Sequence, residues 1–209
     1  MNKRNTLIIA PFIFIIFSIF LLIFLKTPAI ASTNNTPITF NHNSYIYNKN
    51  GKRIMKNKKY LKNESTIAKG RIVKLSKNKK YYTLYYSSGK ITKLWLPYTI
   101  INKHAYYNIK DNEYIKVANV KSINNQELIA TSGKIIIKKD TYFYDINGNK
   151  TKERVAKNTI LKVNGLFNLK PNWPQGRNFY RVYGTNHYLL IYDVIQPRTP
   201  LLLQSKESI

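Results

Sequence analysis

From residue 37 onward, polar and apolar positions alternate in short runs, broken at intervals by Gly, Asn, Ser or Pro. A period of two puts successive side chains on opposite faces of an extended chain, so each run reads as a half-buried β-strand. SYIYNKNGKR (44–53) and TYFYDINGNK (141–150) alternate and then break at Asn50-Gly51 and Asn147-Gly148, dipeptides that supply the positive φ of a tight hairpin turn. RIVKL (71–75) and TILKV (159–163) are β-branched and apolar, and YYTLYYSSGKITKLWL (81–96) reads as a hairpin turning at Ser87-Ser88-Gly89. Beyond the N-terminal segment no window carries a helical period. The pattern predicts an all-β protein made of two small β-barrel-like units, each of about five or six strands.

The N-terminus differs. Lys3 and Arg4 precede an apolar run from Leu7 to Leu25, and Pro28 stops any helix before the small-residue pattern Ala29-Ile30-Ala31. That order is the order of an export signal, with cleavage expected after Ala31 and with Ala29 and Ala31 as the cleavage-site positions. The run also approaches the ~20 apolar residues that span a bilayer. An uncleaved N-terminal apolar helix that anchors the protein in the membrane is therefore the alternative. In both cases the rest of the chain is exported.

The two Asn-Gly stretches recur 97 positions apart, Tyr47 against Tyr144. IAKGRIVKL (67–75) aligns with VAKNTILKV (155–163), and YYNIKDNEYIKVANV (106–120) aligns with FYRVYGTNHYLLIYDV (179–194) with one inserted residue. Three blocks in one order indicate a duplicated unit. The expected organisation is a signal or anchor at 1–31, a first repeat at 37–123, a second at 134–196 and a tail at 197–209. The offsets fall from 97 to 88 to 73, which places nine extra residues after the first copy's turn and fifteen more in its middle. Cores this small are marginal without disulfides, so the two copies are expected to pack on each other.

Composition adds partners and removes chemistries. Lys and Arg number 35 against 9 carboxylates, a formal charge of +26 that drops to +23 once Lys3, Arg4 and Lys26 leave with the signal. Positions 37–123 hold 19 basic and 3 acidic residues, and positions 133–196 hold 11 and 4. Such a surface attracts polyanions, and the first repeat is the stronger candidate. Lysine ammonium groups act as point charges suited to phosphate, with affinity gained by counterion release and lost steeply with salt. The candidate ligand-binding residues are Lys49, Lys52, Arg53, Lys69, Arg71, Lys74, Lys77, Lys79 and Lys80, with Tyr81 and Tyr85 on the strand face that would stack on sugar or polyol units. Tyr45, Tyr47, Tyr142 and Tyr144 alternate alike in both copies and read as structural, whereas Trp173, between prolines in KPNWPQG, reads as an exposed loop with a possible carbohydrate contact.

The chain has no cysteine, which excludes disulfides, thiolate metal sites, a thiol nucleophile and a lipid-modified Cys. His42, His104 and His187 and the scattered carboxylates form no paired or spaced cluster, so no catalytic site, metal or cofactor is expected. Export also disfavours nucleic acid as the physiological polyanion.

The combination of Tyr-x-Tyr-Asn-x-Asn-Gly-Lys-Arg (45–53), the Ala-Lys-Gly block (68–70) and Tyr-Ile-Lys-x-Ala-Asn-Val (114–120) resembles the C-terminal attachment domain of lactobacillar S-layer proteins, the SLAP domain. The second copy, with YDINGNK and YLLIYDV, is more divergent. The resemblance implies a tandem module of small β-barrels of the Src-homology type that attaches exported proteins non-covalently to anionic wall polymers such as teichoic or lipoteichoic acid. The expected location is the cell wall or surface, or the membrane where residues 7–25 remain. The first repeat starts soon after the expected cleavage point, so lattice assembly is not expected, and the ending PRTPLLLQSKESI carries no sortase-type signal and no expected role.

Overall fold

Short alternating runs become short strands. The computed structural model of the chain describes residues 34–54, 60–61, 65–170 and 177–205. The apolar run 7–25, the cleavage positions Ala29 and Ala31, and Trp173 lie outside the described residues. In the first half the strands are β1 (Asn35–Phe40), β2 (Ser44–Tyr45), β3 (Tyr60–Leu61), β4 (Ser65–Lys69), β5 (Val73–Lys74), β6 (Tyr81–Ser87), β7 (Lys90–Trp95), β8 (Thr99–Ile101), β9 (His104–Lys110), β10 (Glu113–Lys116), β11 (Val120–Ile123), β12 (Gln126–Glu127) and β13 (Ile129–Ala130). The second half contributes β14 (Gly133–Ile137), β15 (Thr141–Tyr144), β16 (Lys150–Val155), β17 (Ile160–Lys170), β18 (Arg177–Val182), β19 (Tyr188–Leu190), β20 (Val194–Ile195) and β21 (Leu203–Ser205). Single 3-10 turns at Val117–Asn119 and Ile191–Asp193 are the helical elements among the described residues.

The all-β architecture is as expected, but the sheets do not close into barrels. The second half forms one open sheet in the order β16-β15-β19-β18-β17-β14-β20, while the first half divides into β12-β11-β1-β4, β10-β9-β8, β13-β6-β7-β5 and the pair β2-β3. Closure needs strands long enough to tilt and stagger against two neighbours. Strands of two or three residues such as β2, β3 and β5 do not supply that length.

Part of the strand pairing recurs in the two halves. β1 lies between β4 and β11 with Phe40 opposite Val120, and β14 lies between β17 and β20 with Ile137 opposite Val194. Tyr47 bridges Tyr114 as Tyr144 pairs with Tyr188, and buried Tyr107 and Tyr180 face Ile115 and Leu189. Both Asn-Gly turns are built alike. Gly51 N–H donates to the Asn48 carbonyl at 2.9 Å, and Asn48 Oδ1 accepts from the N–H groups of Asn50 and Lys52, each at 3.0 Å. Asp145 does the same for Gly148, at 3.0 Å, and for Asn147 and Asn149, each at 2.8 Å. Only the glycine takes positive φ (73° and 69°), so each is a three-residue loop ending in a glycine bulge rather than the two-residue turn that Asn-Gly suggests. The two-residue form occurs instead at Ser88-Gly89, Asn102-Lys103 and Asn124-Asn125, where both residues are left-handed.

The middle block departs from its alignment. Thr36 pairs with Ala68 on β4, while Gly133, 97 positions on, pairs with Val163 on β17, so Ala68 and not Leu75 stands where Val163 does. Fourteen positions separate Gly51 from Ser65 and twelve separate Gly148 from Ile160, so the first turn region is longer by two residues, not nine. Most of the extra length is the β5–β8 segment, whose hairpin β6–β7 turns where the sequence places it, with Ser87 opposite Lys90. IAKGRIVKL and VAKNTILKV match in residue type because both are β-branched runs, and pairing partners decide which run is used where.

Each half has its own core. Ile38, Phe40, Leu96, Tyr107, Ile115 and Val120 form the first; Ile135, Ile137, Val163, Tyr180, Leu189 and Val194 form the second. The inserted hairpin buries Tyr82 and Leu84 with Ile129 on its other side. The tail joins them. Leu201 sits in the second core, Leu202 packs on the Tyr82 cluster, Ala130 N–H donates to the Pro200 carbonyl at 2.8 Å, and β21 adds to β17 as a parallel strand. Gly133 is required beneath it, since a Cβ there would lie 2.6 Å from Pro197 Cβ.

Candidate functional site

The candidate cations do not form one site. Lys49 and Lys52 project from the first Asn-Gly turn, where the Lys49 N–H donates to Asn112 Oδ1 at 2.9 Å, and the Arg53 guanidinium stacks 3.1 Å over the Tyr45 ring. At the equivalent place of the second half, Lys150 stands 3.7 Å over Tyr142. Alternation puts Tyr45 and Tyr142 beside the strand that returns from the turn, so each ring meets a cation there, and Arg154 adds a second over Tyr142 at 4.8 Å. Lys69 pairs with exposed Asp111, whose carboxyl is held below its ordinary range by the hydrogen bond from Lys69 and then by its charge. Lys69 is thereby partly neutralised.

Arg71, Lys74 and Lys77 are exposed along and around β5, and Lys79 lies half-buried with its ammonium 4.6 Å over the Trp95 ring. Tyr85 is half-buried opposite Thr92. Tyr81 corrects its assignment as a ligand-stacking residue. It is 7% exposed in the first core, against Tyr98, and burial followed by the Tyr98 hydroxyl pushes its phenol up to about 12. The start of β6 is buried on both faces because core lies on one side and the Tyr82 cluster on the other, so alternation alone did not reveal an outer face.

Lys80 leads elsewhere. Its N–H donates to Tyr98 Oη at 3.2 Å and its carbonyl accepts from Thr131 at 2.8 Å, which pins its backbone at the junction of the halves. Burial, then Lys162, then Lys134 lower the Lys80 ammonium from its ordinary value. Lys134 and Lys162 are direct partners across β14 and β17. Lys80 and Lys134 line a cleft of about 500 Å³ together with Arg198 and Thr199. Sequence reasoning missed Lys134, Lys162 and Arg198, because nothing in their local surroundings signals that three distant segments meet.

The groups that catalysis or metal binding would need are dispersed. His187 meets Glu153 at 3.4 Å and stacks on Phe143, while Asp193 accepts from Thr141 Oγ1 at 2.8 Å and pairs with Lys139 at 3.4 Å. The Thr141–Asp193 contact repeats that of Ser44 with Asn119, whose Nδ2 donates to Ser44 Oγ at 3.0 Å, so it belongs to the scaffold. Among the described residues no group of three metal-ligating side chains converges, and no helix is long and apolar enough to cross a membrane.

No curated protein matches the chain. A family model does: the Surface layer protein A domain matches residues 30–90, from the approach to β1 through the turn of the β6–β7 hairpin. The match takes in the first Asn-Gly turn and all nine candidate basic residues, and over this stretch the chain is similar to a surface-layer domain.

Proposed function

We propose that the protein is an exported, non-enzymatic wall-binding protein that attaches non-covalently to anionic wall polymers such as teichoic acid. The observation that carries this reading is the charge balance on a chain similar to a surface-layer domain: 9 carboxylates against 35 basic groups leave a strong positive field that favours an external polyanion. Among the described residues the carboxylates are moreover partly committed to structure, Asp145 to its turn and Asp193 to Thr141. We read the two halves as copies of one module, supported by their matching turns, their paired tyrosines and the Ser44–Asn119 and Thr141–Asp193 contacts. Two copies on a repeating polymer raise the effective concentration of the second contact. The N-terminal run serves export in this reading. N-terminal sequencing of the secreted protein separates cleavage after Ala31 from retention as an anchor, which would set the same basic surface against lipoteichoic chains or anionic lipids.

The test is retention of the full chain on purified walls before and after acid extraction of teichoic polymers. Strong retention that is lost on extraction and falls steeply from low to high salt is expected. Equal retention on both preparations, or salt independence, rejects the mechanism.

A further inference from the structure

We propose that the cleft between the halves, ringed by Lys80, Lys134 and Arg198 with Lys162 at its margin, is a discrete site for one phosphodiester of a polyol-phosphate chain. The inference rests on the polyanion reading and sharpens it from a diffuse field to a place. Directly opposed like charges on a sheet destabilise it, yet Lys134 and Lys162 are opposed and exposed on the outer face of β14 and β17. Lys80 is brought to the same spot by a backbone held at both ends. None of the three shares in the ion pairs found among the described residues, which join Lys69 to Asp111, Lys139 to Asp193 and His187 to Glu153. A cluster of cations without a carboxylate is relieved by a bound anion.

The cleft also has the rest of a site. At about 500 Å³ it falls within the roughly 300–1,000 Å³ of small-molecule pockets. Thr199, 5% exposed, lines it with a buried hydroxyl that has no hydrogen-bond partner. Ile136 and Ile160, opposed one step along the same strands, give an apolar margin suited to the carbon backbone of a polyol. The tail supplies Arg198 and Thr199, so the site exists only where both halves and the tail meet.

The experiment uses the full chain with isotope-labelled dimethyl-lysines, titrated with a glycerol-phosphate oligomer and, in a second arm, with phosphatidylglycerol vesicles. The Lys80, Lys134 and Lys162 signals should move saturably, and Lys134→Gln should weaken oligomer binding roughly tenfold, the effect of one charge-assisted hydrogen bond. Lys103→Gln should leave binding within about twofold, the effect of one remote charge. Without ligand, Lys134→Gln should melt at or above the parent, because a like-charged neighbour is gone; this separates loss of the site from loss of the fold. Parental affinity in Lys134→Gln, or equal movement of all lysine signals, overturns the proposal. Binding dependent on Lys134 in either arm supports a phosphodiester site, and the arm that responds identifies polymer or lipid as its source. If Lys134→Gln binds oligomer and walls like the parent, this site falls and wall binding stands; if walls fail to retain the chain while Lys134-dependent oligomer binding persists, the site stands and wall binding falls.

Discussion

Replacing Leu201 by alanine tests whether the tail is part of the fold. Leu201 is 5% exposed in the core of the second half, although it lies in a segment whose sequence suggests no role. Truncation removes three carbons, about 2.4 kcal/mol at about 0.8 kcal/mol per buried methylene. The cavity left behind brings the usual cost to about 2–5 kcal/mol. The unit from Asn34 to Ile209 is of a size at which each kcal/mol moves the melting temperature by about 2–4 °C, so a cost near 3 kcal/mol predicts a drop of roughly 6–12 °C. Near-UV circular dichroism suits the measurement, since 17 tyrosines report on packing. A single cooperative transition should move as a whole, because the neighbouring Leu202 grips the Tyr82 cluster and couples the halves. A shift below about 2 °C, less than the effect of one buried methylene, or a melt in which only the second half is lowered, refutes the tail as a strap.

Gly89→Ala meets open space at φ +73°, so its cost is conformational and close to 1 kcal/mol, whereas Gly51→Ala adds a contact 3.0 Å from Ile101 Cγ2 and should cost more, about 2 kcal/mol, by chemical denaturation. Asp193→Asn should stay within about 1 kcal/mol of the parent, since it keeps an acceptor for Thr141 and loses only a pair with exposed Lys139. Asp193→Leu strands the buried Thr141 hydroxyl and should cost about 1–3 kcal/mol; equal stabilities of the two variants would argue against the contact. Burial raises the Tyr81 phenol from near 10 to about 12, so the folded state favours its neutral form. That stabilisation is complete below pH 10 and is lost as pH rises toward 12, which denaturant titrations across this window read directly. A Tyr81→Phe variant should lose less stability there, and a flat profile in the parent would contradict the assignment.

Much of this protein is written in its local pattern. Alternation places strands at 81–87 and 90–95, the glycines mark the turns, and the count of lysines against carboxylates raises the expectation of a polyanion partner, because each depends only on neighbouring residues or on totals. The correspondence of Tyr45, Tyr47 and the Asn-Gly turn with Tyr142, Tyr144 and theirs was equally legible. Other features needed long-range pairing. Whether residues 65–69 or 71–75 sit beside β1 depends on hydrogen-bond partners, and the two runs look alike to any local reading. Tyr81 is buried because a second layer covers the face that alternation would leave outside. Lys80, Lys134 and Arg198 come from three separate segments that only the tertiary fold and the return of the tail bring to one cleft, and the register of β14 against β17 sets Lys162 opposite Lys134 beside it. Charge totals are a property of the chain, whereas charge convergence is a property of the strand register.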